Sequence, residues 1–433
     1  MKNNFDVIVV GAGPAGTTAA FRLAQKGLHV LLLERGEVPG AKNMFGGILC
    51  NCPVLDEFFP NFWNQAPWER YVVKRILTFM SPESSTSLVF ETENFDRPPY
   101  NGFSLLRPVF DKWYAEMAQE AGAKLVCGCT VEDVLWNGKA VAGVRVAREA
   151  GDVRAKAVIA ADGVLSFLAQ KAGLRKEFAP SQMALGIKAL FRIKEEWINE
   201  RFNLVRRQGV SQEFIGCTRG IRGGGFIYTQ TDSLSVGLVL HLDSLKKSGI
   251  APYELFEAFI SALPIRKLSR GGKLLEYSAH LLPEGGYRMV PRLFTDGMIV
   301  IGDAAALCYT NGLTQEGMNL AITSGFLAAE TVIEAFDKGD FSGRQLSGYE
   351  RRLQESFVLK DMKTFKETAD LMHSDRLFSV YPTLVGTIIE QIFRSDGKPR
   401  KKIGPIAWQA LKGSVKMRQF ISDIIKGGRS LIK

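Results

Sequence analysis

The sequence predicts an α/β protein in which a Rossmann-like nucleotide-binding domain is interrupted by a β-sheet domain and followed by a helical C-terminal region. Three observations predict it. A buried strand, a glycine turn and a helix open the chain in DVIVVGAGPAG at 6–16. A second strand and turn, GMIVIGDAAA, stands far downstream at 297–306. Between the two, the region 180–285 changes character to strand-like runs joined by turns.

In the first motif Val7 to Val10 reads as the strand, running into Gly11, Gly13 and Gly16 and a helix from about Pro14 to Lys26. Gly11 permits the tight turn, Gly13 lets the backbone approach a pyrophosphate, and Gly16 allows close helix–strand packing. Pro14 and Ala15 open the helix, where first-turn N–H groups and the helix dipole favour phosphate. A second strand, His29 to Leu33, ends at Glu34, whose carboxylate is placed to accept the ribose hydroxyls. An acid there disfavours a 2′-phosphate and so speaks against NADP. A lone glycine pattern fits an ordinary βα turn equally well; strand, helix and terminal acid in order are what make it a dinucleotide site.

The second motif separates FAD from NAD. Strand Met298 to Ile301 ends at Gly302 and Asp303, and Asn311 to Ala329 reads as a turn leading into a long small-residue helix. An aspartate there can hold ribitol hydroxyls. Amides near Gly317 and Met318, at a helix start, can stabilise negative charge at the flavin N1/O2 edge. NAD has neither group.

With 433 residues and 46% apolar content, the chain can bury a core shared by two or three domains. No apolar run reaches the roughly 18 residues of a spanning helix. MKNNF leads straight into a core strand with no signal peptide, so a cytoplasmic protein of bacterial type is expected. Six cysteines in this length do not make a disulfide scaffold. Cys50/Cys52 and Cys127/Cys129 are C-x-C pairs, but neither has a second pair at ligand spacing, so they read as ordinary thiols and no metal site is expected. No four-cysteine cluster run is present.

The net charge of +10 is uneven: residues 394–433 hold 11 Lys/Arg against 2 Asp, leaving 44 basic and 43 acidic residues elsewhere. Within that tail Trp408, Leu411, Val415, Ile421, Ile424 and Ile425 interleave with Lys412, Lys416, Arg418 and Lys426, the pattern of a basic amphipathic helix. It can lie on an anionic membrane, dock an acidic protein, or pack as a solvated helix on its own domain. The near-neutral remainder and the absence of a nucleic-acid motif argue against nucleic acid as a partner.

The expected organisation is a discontinuous nucleotide-binding domain at 1–75, 101–175 and 285–345, a β-sheet domain at 76–100 and 176–284, and a helical region at 346–433. The sheet domain carries MALGIKALFRI, GFIYTQT and LSVGLVLHL as strands with one helix near 252–262. Pro382, Pro399 and Pro405 read as breaks in the helical region. AKNMFGG at 41–47 places Gly46 and Gly47 where backbone can pass close to a flat ring. AVIAADGVLS at 157–166 is another strand, ending at Asp162 and Gly163, and Arg107 before FDKWY opens a helix that can meet the cofactor. His241 and His280, isolated in apolar stretches, read as satisfied core residues. No Ser-His-Asp, paired-carboxylate or metal constellation stands out, so the flavin carries the chemistry.

The combination GAGPAG, GAKNMFGG, LLRPVFDKWY, ADGVLS, GGGFIY, GGKLLEYSAHLLPEGGYRMVP and GDAAA resembles the FixC subunit group of the electron-transfer-flavoprotein:quinone oxidoreductase family along essentially the whole chain. The resemblance implies a Rossmann-like FAD-binding domain of the glutathione-reductase/hydroxylase type with an inserted antiparallel sheet domain. Arg35, Lys42, Asn43 and Val131 join the cofactor-binding set on this ground. It implies a flavoprotein oxidoreductase that takes electrons from an electron-transfer flavoprotein heterodimer. With a small ferredoxin-like 4Fe–4S partner, it passes them to a quinone. In the bifurcating version the flavoprotein partner splits NADH electrons between low-potential ferredoxin and this subunit. Peripheral attachment to the inner face of the cell membrane goes with a quinone acceptor. Gly223 and Gly224, ahead of Gly225 and Phe226, stand where relatives meet the quinone through backbone; a flexible loop is the other reading. Ala306 departs from the usual glycine after GDAA and adds one methyl near the turn. The rival function is a self-contained flavin reductase or monooxygenase, such as an isoprenoid reductase or aromatic hydroxylase; no second nucleotide fingerprint for NAD(P)H is visible.

Overall fold

A computed structural model describes residues 5–41, 47–147 and 151–431. The apolar run Val7–Val10 is buried on both faces, which places it inside a parallel sheet. Strands run in the order Phe294–Thr295, Met298–Val300, Ala157–Ala160, Val7–Val10, Val30–Leu33, Lys124–Val126. All pair in parallel except the first two. Helix Pro14–Gln25 packs on this sheet and against the long helix Met318–Lys338. Gly325 explains the small residues of that helix: a Cβ there would lie 2.1 Å from the Ala15 carbonyl oxygen, so the two helices touch backbone to backbone. A three-stranded antiparallel sheet, Asp152–Arg154, Ala140–Val146, Val131–Asn137, covers one end.

The second layer is a nine-stranded sheet. Its order is Lys273–Pro283, Met183–Arg192, Ser233–His241, Gly223–Thr229, Gln208–Ile215, Arg70–Met80, Gly102–Ser104, Ile48–Cys50, with Ser85–Glu91 paired to Arg70–Met80. Antiparallel pairing was expected throughout, yet Gln208–Ile215 and Arg70–Met80 run parallel. There two segments far apart in sequence meet, and no hairpin forces them antiparallel. Residues 48–50, 70–75 and 102–104, expected in the nucleotide-binding domain, pair in this sheet instead. Between 195 and 269 the chain forms four helices where one was expected, Glu195–Phe202, Leu242–Ser248, Pro252–Ser261 and Leu263–Ser269. Their Ile198, Phe202, Leu255, Phe256, Phe259 and Ile265 form a core with the outer face of the sheet.

The C-terminal region is helical, but Pro382 and Pro405 begin helices rather than end them. They lie in the first turns of Tyr381–Phe393 and Ile403–Ser414, where a missing N–H costs nothing. Met417–Leu431 closes the chain, held by Arg376, whose Nε and Nη2 donate to Asp423 at 2.6 and 2.7 Å. Ile421, Ile424 and Ile425 are about half exposed, as is Trp408, whereas Leu411 and Val415 are buried against Leu384. The tail therefore shows both faces expected of it.

Candidate functional site

A cavity of about 510 Å³ lies between the parallel sheet and the inner face of the large sheet. The N-terminal motif builds one end of it. Gly11 turns the strand at φ +104°, where a Cβ would strike the Ala161 carbonyl at 2.3 Å. Gly16 is closed off by the Gly11 carbonyl at 1.9 Å. Gly13 differs: a Cβ there meets only Arg107 Nη2, at 3.9 Å, because the space beside it is the cavity. Helix Pro14–Gln25 starts at Gly13 with no side chain capping it. Its amide end is therefore available to a pyrophosphate.

Glu34 is fixed by two amides, Ala12 N–H donating to Oε2 at 2.9 Å and Gly36 N–H to Oε1 at 2.6 Å. That aims the carboxylate along the cavity wall with lone pairs left for ribose hydroxyls. Arg35 and Val131 line the same wall. Gly302 stands at φ +60° beneath Ala15, and its N–H donates to Ser324 Oγ at 3.0 Å. Asp303 faces the cavity; burial pushes its carboxyl up and the nearby Arg107 pulls it back. Arg107 is itself anchored, its Nε and Nη2 donating to Asp111 at 2.9 and 2.7 Å. At the far end Gly317 starts helix Met318–Lys338, again with no side-chain cap, and both Gly317 and Met318 line the cavity. Two uncapped helix starts at opposite ends of one slot suit a cofactor with a pyrophosphate and an electron-accepting ring. FAD is that cofactor.

Other expected residues take different parts. The Asp162 carboxylate accepts from Ser166 Oγ at 2.6 Å and from Leu168 N–H at 3.1 Å, so its side chain is spent on the start of helix Phe167–Lys171. Asp162 and Gly163 still line the cavity. Gly47 lines it too, but what approaches it closely is the Tyr228 ring, 2.4 Å from an added Cβ. Lys42, Asn43 and Gly46 lie outside the described residues. Gly223 and Gly224 open strand Gly223–Thr229, paired with Leu240 and Val239 on one side and, for Gly224, with Ile215 on the other. A Cβ on Gly223 would lie 2.0 Å from the Val239 carbonyl. Neither residue lines this cavity or the second one described below. Ala306, where glycine is usual, sits at φ +56°, which supplies the reason for glycine.

Several wall residues lie in motifs of the resemblance but had no expected site role. The end of strand Lys273–Pro283 contributes His280 through Pro283, and the sheet adds Phe226, Tyr228 and Val239. His280 is thus a cavity residue rather than a core one. Burial and the charges of Arg107 and Arg35 push it down to about 4, so it is neutral at neutral pH. His241 is buried beside His373, but its Nδ1 has no hydrogen-bond partner among the described residues, so the expectation of a satisfied histidine fails there. The cysteines are free, and no group of ligating side chains suited to a metal occurs among the described residues.

A second cavity, about 660 Å³, continues along the same sheet face. Its floor is polar: Arg75 Nη1 lies 3.9 Å from Glu213 Oε1, which accepts from Ser211 Oγ at 2.5 Å. Burial raises the Glu213 carboxyl. The rest of its lining is mixed: Ile76, Leu77, Phe95 and Phe357 are apolar, Asn51, Asn101, Asn319 and Asp361 polar, and Leu88, Phe90 and Leu313 are each more than half exposed. The short hairpin Tyr309–Thr310/Gln315–Glu316 divides the cavities, Gln315 facing the first and Glu316 the second. Tyr228, between them, lines the first and feels Glu213 and Arg75 of the second.

Comparison with known proteins agrees with this geometry. Residues 6–178 match the FAD-dependent oxidoreductase family, and residues 368–432 match the ETF-QO/FixC family C-terminal domain. The chain is 40% identical over 432 residues to a probable electron transfer flavoprotein-quinone oxidoreductase, YdiS, of Escherichia coli K12, covering 99% of both. It is 39% identical over 404 residues to protein FixC of Azotobacter vinelandii, covering 93% of both. Among solved structures, a geranylgeranyl bacteriochlorophyll reductase-like protein of Thermoplasma acidophilum shares the fold. Its TM-score is 0.73 at 21% identity, covering 99% of both chains. The flavin-dependent brominase Bmp2 gives 0.63 at 16%, covering 90% of this chain and 99% of that one. The chain belongs to the electron-transfer-flavoprotein:quinone oxidoreductase/FixC family of FAD-dependent oxidoreductases.

Proposed function

We propose that this protein is the subunit that takes electrons from an electron-transfer flavoprotein heterodimer onto its FAD. It then delivers them, together with a small ferredoxin-like 4Fe–4S partner, to a quinone, as part of an electron-bifurcating complex. The observation that carries the acceptor half is the second cavity: Arg75 and Glu213 set among Ile76, Leu77, Leu88, Phe90 and Phe95, one side chain away from the flavin slot. A quinone needs that combination, a donor for its ring oxygens and a dry channel for its tail. The relatives' names, YdiS as a quinone oxidoreductase and the FixC proteins, support the donor and the acceptor.

Bound FAD supplies two-electron chemistry; the chain supplies position and environment. Gly11, Gly13 and the start of helix Pro14–Gln25 hold the pyrophosphate, Glu34 orients a ribose, and Asp303 with Arg107 secures the middle of the cofactor. Gly302 belongs to the same turn. The open amide end at Gly317 and Met318 steadies negative charge that builds at the ring. Arg75 offers a donor to the acceptor's ring oxygen, beside the Glu213 carboxyl, which burial raises and Arg75 opposes.

No described helix is long and apolar enough to cross a membrane. We place the protein on the inner membrane face through the exposed Leu88 to Phe90 edge and the basic tail, where Ile421, Ile424 and Ile425 stand among lysines. Anaerobic stopped-flow mixing with reduced electron-transfer flavoprotein tests the relay, with NADH alone as control and a quinone analogue plus the ferredoxin-like partner as acceptor. Rapid reduction only through the flavoprotein is expected. Direct reduction by NAD(P)H would replace this reading with a self-contained flavin reductase or monooxygenase.

A further inference from the structure

Strand Lys273–Pro283 runs His280 to Pro283 along the flavin cavity and turns away at Glu284. Glu284 is pinned twice. Its N–H donates to the Gln182 carbonyl at 2.8 Å, and its Oε1 accepts from Gln315 Nε2 at 2.6 Å. Gln315 is itself a wall residue of the cavity, two positions before Gly317, and its Nε2 also lies 3.5 Å from Sγ of Cys308, another wall residue. A carboxyl therefore stands one amide behind the end of the cavity where the Met318 helix opens and the flavin ring accepts charge.

The groups around this carboxyl narrow what can titrate there. Cys308 is held well above the usual thiol range by burial, then by Asp303, Glu284 and Glu316. Asp303 is raised by burial, with Arg107 opposing. Glu316 accepts from Asn319 Nδ2 at 2.7 Å on the other side of the hairpin. On the strand, His280 is pushed down to about 4. Arg288, in the turn that follows, is engaged with Asp370 at 2.7 Å. Deeper in the sheet, burial and then Arg107 lower Lys188 to about 8. Glu284 is raised by burial to about 7, with the Gln315 hydrogen bond opposing.

We propose that Glu284, acting through Gln315, is a positioning residue that couples reduction of the flavin to proton uptake by the protein and so makes the flavin potential pH-dependent. Two electrons entering the cavity bring negative charge toward the carboxylate and raise its pKa. By reciprocity, the neutral carboxyl favours the reduced cofactor. The balance per turnover is two electrons from the reductant, the protons the cofactor itself takes, and one further proton from solvent onto the Glu284 carboxylate. The sign follows. Below about pH 7 Glu284 is protonated in both redox states and adds nothing. Above that value, until the pKa of the reduced state is passed, reduction takes up the extra proton. This rests on the flavin site alone, not on the identity of donor or acceptor, so it stands or falls separately from the relay.

The test is a spectroelectrochemical titration of the FAD-loaded protein with dithionite as reductant, from pH 6 to pH 9, comparing the native chain with Glu284→Gln. The substituted amide keeps an acceptor for Gln315 but cannot ionise. Expected is a native plot of potential against pH that steepens above about pH 7 by up to one proton per two electrons. The Glu284→Gln plot should lack that added proton and lie above the native one at pH 8. Lys188 titrates in both proteins and cancels in the comparison. Parallel plots, or a constant offset at every pH, would overturn the proposal. If Glu284→Gln does not fold, redox-difference infrared spectra of the native protein at pH 8 decide. A protonated-carboxyl band that appears on reduction and shifts in heavy water is expected, and its absence refutes the coupling.

Discussion

Alanine at each glycine of the first turn should give three different results, because the structure gives each glycine a different neighbour. At Gly13 the backbone is ordinary, φ −78°, and an added methyl has only the tip of Arg107 at 3.9 Å. The FAD-free protein should tolerate it: the weaker helix start costs up to about 1 kcal/mol, offset by about 0.4–1 kcal/mol from a less flexible unfolded chain. FAD should not tolerate it, since the methyl occupies the approach to the pyrophosphate. Losing one hydrogen bond to a charged group is worth about 1.5–3 kcal/mol, or about 10- to 150-fold in Kd. Gly11→Ala instead forces a methyl within 2.3 Å of a neighbouring strand's carbonyl at φ +104°, and roughly 3 kcal/mol or more of fold stability should go. Gly16→Ala, 1.9 Å from the Gly11 carbonyl, should prise the helix off its strand with a similar loss. Urea unfolding of the FAD-free proteins, paired with fluorimetric FAD titration, separates the cases. A Gly13→Ala protein that binds FAD like the native one, or that loses as much stability as Gly11→Ala, would refute the reasoning.

Glu34→Ala should strand the Ala12 and Gly36 amides, cost about 1–3 kcal/mol in urea unfolding and weaken FAD in the same titration. Asp162→Ala should cost about 1 kcal/mol through loss of its contacts at the start of helix Phe167–Lys171, while FAD affinity stays within about threefold; a larger affinity loss would return its side chain to the cofactor. Glu284 has a folded pKa near 7 against an ordinary 4.5. Its contribution to stability is full below pH 4.5 and lost as pH rises to 7, an upper bound of about 3 kcal/mol. Glu284→Gln should remove that slope in FAD-free protein, so that urea midpoints of the two proteins converge at pH 4.5 and separate at pH 8. Arg376→Ala should remove the ion pair that holds the last helix through its Asp423, leaving the main thermal transition in place but speeding tryptic cleavage within 417–431.

Local rules carried the elements of the flavin slot. Strand, glycine turn, helix and terminal Glu34 lie within thirty consecutive positions, and the hydrogen bonds that fix them are made there. The large sheet was less legible because its pairings are not local: nothing in Gln208–Ile215 or Arg70–Met80 names the other as a parallel neighbour. The short helices Glu195–Phe202, Leu242–Ser248 and Leu263–Ser269 span about two turns each, too few for a helical period to show. Pro382 and Pro405 show the same limit in reverse. Proline forbids a helix interior and favours a helix start, and only the residues that cap and bury the next turn decide which applies.

Glycine sets a sharper limit on reading the site. Its presence records that something comes close to the backbone, without recording what. At Gly13 the space beside the missing side chain is the cavity; at Gly47 it belongs to Tyr228, at Gly223 to the carbonyl of Val239, and at Gly325 to the carbonyl of Ala15. Four identical letters face a cavity, a ring, a strand and a helix. The Gly223–Gly224 pair, expected as a ligand contact by the same logic as Gly13, pairs with neighbouring strands that the sequence does not announce. The second cavity was hidden for a related reason. Arg75, Glu213 and Leu88 come from three strands of one sheet and converge only after the sheet has closed. Their chemistry, one cation, one buried acid and an apolar rim, is ordinary in sequence and becomes specific through pairing alone. The site is therefore divided: cofactor identity is written in contiguous motifs, while the second cavity and the Glu284–Gln315 contact are products of register.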